Sequence, residues 1–128
     1  MFYENELATI TLARPITHPK LYWLCVRLDD CDGSEDYLRV MRKIARIDDP
    51  QVIEVFAALL DSPGVVGRTA MKYLVRRGPA VLPEMRRVLD TSLDADALDR
   101  ANTVIERIDR ALIRLARIKE RGRAGHAA

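Results

Sequence analysis

The feature that most constrains this chain is that it overlays on itself about every 30 residues, with apolar side chains at helical spacing. One pattern runs apolar, two of any residue, apolar, three more, then Leu followed by Asp. It occurs at Leu21, Leu24, Leu28 and Asp29, at Ile53, Phe56, Leu60 and Asp61, and at Leu82, Met85, Leu89 and Asp90. A second pattern places small or apolar residues four and then three apart, at Val40, Ile44 and Ile47 and at Ala101, Ile105 and Ile108. Its middle copy reads Ala70, Leu74 and then Arg77. Such spacing gathers each set on one face of a helix, the stripe that a helix in water must bury. A period near 30 residues has room for one pair of helices and nothing larger. The expectation is an all-α chain of three helix pairs, with repeats at about 20–48, 49–78 and 79–109.

Signals independent of the apolar pattern fall at the same borders. Asp49-Pro50 has the form of an N-cap followed by proline at the first helical position, and Ser34 precedes Glu35 and Asp36 in a first turn. Thr91 to Asp94 has capping-box spacing, and Gly78-Pro79 predicts a helix stop. Ser62-Pro63-Gly64 and the run Asp29 to Gly33 are the turns inside the middle and first pairs. The predicted core is Leu24, Leu28, Val40, Ile44, Phe56, Leu60, Ala70, Leu74, Leu89, Ala101, Ile105 and Ile108.

These residues resemble the HEAT-like repeats, in the short form of about 30 residues seen in phycobilisome-lyase-type arrays. Val66, Ala70, Leu74 and Gly78 match the family's second-helix spacing, and Leu82-Pro83, Met85 and Leu89-Asp90 match its first helix. The chain departs from the pattern at Gly67, where the family usually has arginine, and at Arg77, where it has an apolar residue. Asp48 and Asp109 depart as well, at places where it often has glycine. The resemblance spans roughly residues 20–109. It implies a short α-solenoid of three HEAT-like hairpins, with second helices lining the concave face.

Both flanks lie outside the repeats. Residues 1–19 form an N-terminal flank or cap, in which 7–13 alternates as a half-buried strand would, although Glu4 and Glu6 would equally open a short helix. Five of the seven aromatics, Phe2, Tyr3, Tyr22, Trp23 and Tyr37, crowd this end and suggest a packing surface of its own. At the other end Val104, Ile108, Ala111, Leu115 and Ile118 alternate four and three apart, extending the last helix to 121. Such a stripe can dock on its own domain, on a partner helix or on an acidic surface. Gly122 is expected to stop the helix and 122–128 to fray. Exposed apolar ends of a short array predict docking of another protein or self-association through Phe2, Tyr3, 7–13 and this stripe.

Charge is balanced overall, 21 Lys and Arg against 19 Asp and Glu, but its signs come in blocks. Residues 65–89 carry six bases against Glu84, 90–109 six acids against Arg100 and Arg107, and 110–128 six bases against Glu120. If the second helices stack in register, Arg46, Arg76 and Arg107 occupy equivalent positions, with Arg42 and Lys72 one turn earlier. These five face away from the apolar stripe, either as a solvated face or as a basic ladder for an acidic ligand. Arg110, Arg114, Arg117 and Arg121 form a second basic stripe on the terminal helix.

Signatures of catalysis are missing. His18 and His126 form no pair at metal spacing, Ser34, Ser62 and Ser92 lie in turns or caps, and Gly64 to Gly67 is too short for a phosphate loop. The acids Asp29, Asp30, Asp32, Glu35 and Asp36 do not complete a calcium-loop pattern. Cys25 and Cys31 are too few for a disulfide framework. With no leader and no apolar run of membrane-spanning length, the expectation is a cytoplasmic, non-enzymatic adaptor without cofactor or metal that binds another protein. The alternative function is nucleic-acid binding on the ladder, against which the acidic blocks stand because they repel phosphate.

Overall fold

The computed structural model describes residues 12 and 14–127, with burial defined through Arg123. Apart from Leu12, the segment 7–13 lies outside the described residues, as do Phe2 and Tyr3. The described chain is all-helical: α1 Pro19–Asp29, α2 Ser34–Ala45, α3 Gln51–Ala58, α4 Gly64–Arg77, α5 Leu82–Thr91 and α6 Ala95–Ala127, with a 3-10 turn at Gly78–Val81 before α5.

Each start has a local cause. His18 caps α1, its Nδ1 accepting the Leu21 N–H at 3.3 Å, and Pro19 takes the first helical position. Glu35 and Asp36 put negative charge in the first turn of α2, where the helix dipole favours it. The Asp49 carboxylate accepts the Gln51 N–H at 2.8 Å and so satisfies the first donor of α3, but the cap position is taken by Pro50, one residue later than the sequence placed it. Gly64, at φ 63, opens α4, and Gly78, at φ 76, closes it; both backbones are left-handed, where a Cβ would be strained.

Two predicted helix ends need correction. Thr91 does not open a capping box, because it closes α5 and its hydroxyl donates to the Arg87 carbonyl at 2.7 Å. Asp94 caps α6 instead, accepting the Ala97 N–H at 2.9 Å. Nor does Gly122 stop the last helix, which runs on to Ala127. A glycine ends a helix by turning left-handed, and among the described residues only Gly64 and Gly78 have positive φ. Without that turn Gly122 merely lowers helix propensity, by about 1 kcal/mol relative to alanine.

The helices pack in consecutive pairs, α1 with α2, α3 with α4 and α5 with α6. Between pairs, α4 touches both α2 and α6, and α3 touches α5. One continuous core results, with Leu21, Leu28, Ile44, Phe56, Leu60, Leu74 and Met85 among its fully buried side chains. Ten of the twelve predicted core residues are buried, whereas Leu89 and Ile105 are only partly covered. The covered face here is carried by Val81 of the 3-10 turn and by Met85 and Val88 of α5, which leaves Leu82 and Leu89 at its edge. Sequence spacing alone did not distinguish these two adjacent stripes, since both contain Met85.

Three polar residues tie the pairs together where the apolar pattern lapses. Gln51 is buried, and its amide nitrogen donates to the Arg14 and Pro15 carbonyls at 3.2 and 3.1 Å, holding the segment before α1 against α3. Arg77, at an apolar position of the repeat, donates to the Ala45 and Ile47 carbonyls at 3.3 and 2.8 Å, satisfying acceptors that the end of α2 leaves open. Gly67 is buried because Arg100 of α6 occupies the place where its side chain would be: an added Cβ would collide with the Arg100 guanidinium and the Ser62 carbonyl. That guanidinium donates to the Leu60 and Ser62 carbonyls at the α3–α4 turn.

Candidate functional site

The contact of α2 with α4 brings part of the predicted basic ladder to one place. Arg42 and Arg46 from the end of α2 and Arg76 and Arg77 from the end of α4 line a surface pocket of about 480 Å³, together with Ala45, Phe56 and Tyr73. Its apolar floor is ordered by aromatic contact: the Phe56 and Tyr73 rings stack with centroids 5.1 Å apart and planes 26° apart. The Arg76 guanidinium lies 5.8 Å from the Tyr73 ring centroid, within cation–π reach.

The four arginines are not equivalent. Arg77 is half-buried and committed to backbone carbonyls, so its role is internal. Arg42, Arg46 and Arg76 are exposed, and none belongs to the ion pairs formed among the described residues, which join Arg14 to Glu54, Arg39 to Asp36 and Arg87 to Glu84. Basic residues in a last helical turn offset the partial negative charge there. That effect is served already by Arg77, and it does not require three further guanidinium groups around an apolar floor. The pocket is suited to a carboxylate or phosphate accompanied by an apolar group, since a planar guanidinium pairs with two oxygens at once.

The rest of the ladder does not join this pocket. Lys72 and Arg107 are exposed, but neither lines it. Tyr73 and Phe56 carry no site signal in the sequence, because an apolar side chain at helical spacing reads as core. The available signal was Arg77, an arginine standing where the repeat asks for an apolar side chain.

The second basic stripe lies elsewhere. Arg110, Arg114, Arg117 and Arg121 stand with Ile113 and Ile118 along one side of α6. From Arg110 to Arg123 every residue of this helix is exposed, and Leu115 and Ile118 are 55% and 56% accessible. The terminal stripe therefore does not dock on its own domain.

Other candidates carry less. Among the described residues no three His, Cys, Asp or Glu side chains converge as metal ligands. Cys25 is buried, and burial pushes its thiol up to about 12, with Asp29 adding to the shift, so it is a poor nucleophile. Among the described residues no helix is long and apolar enough to cross a membrane. Compared with protein-family models, with curated proteins and with solved structures, the chain matches none.

Proposed function

We propose that this chain is a non-enzymatic adaptor, a short α-solenoid of HEAT-like hairpins that binds another protein by an acidic segment. The stacking of α2 on α4 and α4 on α6 supports the repeat reading, because repeat units bury their faces on their neighbours. The observation that carries the binding reading is the convergence of Arg42, Arg46 and Arg76, none of them ion-paired among the described residues, on the pocket floored by Tyr73 and Phe56. Charged groups around an apolar floor suit a protein ligand, which offers carboxylates and an apolar anchor together. A polyanion requires a track of regularly spaced cations, and the ladder loses Lys72 and Arg107 from this cluster.

The test uses a fluorescent, unstructured peptide of alternating Glu and Phe residues, alongside random-sequence duplex and single-stranded DNA. The peptide is expected to bind the wild-type chain and to be lost when Arg46→Glu and Arg76→Glu are combined, while the melting curve is unchanged, because exposed charges contribute little to stability. DNA binding that falls steeply with salt and disappears in the same double variant would establish the nucleic-acid function instead. Peptide binding that survives the double variant would show that the pocket is not the site.

A further inference from the structure

The free half of α6 continues a face that the body of the molecule covers only in part. Val104 and Ile108 are buried, and the same stripe goes on through Ala111, Leu115 and Ile118, all exposed. Four-three alternation over these residues is the seam of a left-handed pair of helices, with Ile108, Leu115 and Gly122 in one row and Val104, Ala111 and Ile118 in the other. Flanking the first row, at intervals of seven, stand Arg107, Arg114 and Arg121; Leu112 and Lys119 flank the second. All five flanking residues are exposed, and none of the four bases is ion-paired among the described residues.

Charge decides what can cover this seam. In a parallel pair with a second copy, Arg114 would face Lys119 of that copy; in an antiparallel pair the arginine rows would face one another. Either register brings like charges together, and from Arg110 to Arg123 six bases stand against the single acid Glu120. A bilayer surface fits less well, since this half has no Trp or Phe to insert. We infer that the free half of α6 is a docking helix for an acidic amphipathic helix of a partner protein, whose apolar seam covers Ala111, Leu115 and Ile118 and whose flanking carboxylates meet Arg107, Arg114, Lys119 and Arg121. This site is separate from the α2–α4 pocket, so either can fail without the other.

The probe is a labelled three-heptad peptide with Leu at both seam positions and Glu at every flanking position, compared with the same peptide bearing Lys. The Glu peptide should bind roughly tenfold or more tightly than the Lys peptide, and less tightly as salt rises. Combining Leu115→Asp with Ile118→Asp should abolish binding without changing the melting curve, since neither side chain is buried. Combining Arg114→Glu with Arg121→Glu should reverse the preference toward the Lys peptide. Equal affinity for the two peptides, no binding of either, or binding that survives the Asp variant but is lost with Arg46→Glu and Arg76→Glu would overturn the proposal. So would sedimentation showing a dimer that the Asp variant dissolves, which would make a second copy the occupant. Binding of random single-stranded DNA that needs Arg114 and Arg121 but not Leu115 and Ile118 would assign the stripe to nucleic acid.

Discussion

The two halves of α6 share one periodicity and have opposite fates. From Ala97 through Ala101 and Val104 to Ile108 the stripe is buried in the common core, against a body in which α6 packs on α4 and α5. From Ala111 to Ile118 the same stripe is exposed. A helical period states that a face exists and which residues occupy it. Whether anything covers that face depends on how far the neighbouring elements reach, and α5, only 10 residues long, ends well before the 33-residue α6 does. Covered and uncovered copies of one residue type recur elsewhere in the molecule, and each pair makes the contrast measurable.

The largest contrast is apolar. Ile108→Ala and Leu74→Ala should each cost about 2–5 kcal/mol, the range for truncating buried side chains. Leu115→Ala should stay within about 0.5 kcal/mol, as surface changes do. Denaturant titration measures all three, and an equal loss at Leu115 and Ile108 would mean that the free half is covered in solution.

Glycine gives the next pair. Gly67→Ala drives a Cβ into the Ser62 carbonyl and the Arg100 guanidinium, and should destabilise by about 1–3 kcal/mol. Gly122→Ala meets nothing within 4 Å and should strengthen the helix by up to about 1 kcal/mol, seen as increased ellipticity at 222 nm. A stabilising Gly67→Ala would show that α4 and α6 do not meet closely at Gly67 and Arg100.

Adjacent arginines supply a third. Arg77→Ala removes the donor to the Ala45 and Ile47 carbonyls and should cost about 1–2 kcal/mol, toward the low end for a charged hydrogen bond because the group is only partly buried. Arg76→Ala should leave stability within about 0.5 kcal/mol while weakening the acidic peptide. If both variants lose the same stability, the distinction between an internal and an outward arginine fails.

The smallest effect is on pH. The Cys25 thiol, held at about 12 by burial and by Asp29, keeps its proton where the unfolded chain releases it, from roughly pH 8.5 upward. The fold then binds more protons than the unfolded state, so stability falls as pH rises through that window. Cys25→Ala should flatten the decline, and at neutral pH an alkylating reagent should reach the partly exposed Cys31 long before Cys25. Equal labelling rates in the native protein would contradict the burial of Cys25.

Local chemistry was legible from the residues alone. The helical period, the carboxylate of Asp49 bonded to the first N–H of α3, the left-handed stop at Gly78 and most of the buried stripe each depend on neighbours within a few positions, and a sequence displays those directly. The basic residues at the ends of the second helices were visible too. What no spacing contained was the distance between elements far apart in the chain. Only packing decided that Arg42, Arg46 and Arg76 meet over Tyr73 and Phe56 while Lys72 and Arg107 stay outside, and that Arg100 fills the space above Gly67 from 33 positions away. Packing also decided that Val88 rather than Leu89 joins Met85 on the covered face of their helix. Periodicity is a property of one helix, whereas burial and convergence belong to the pair of surfaces that meet, and the second surface is supplied by the tertiary structure.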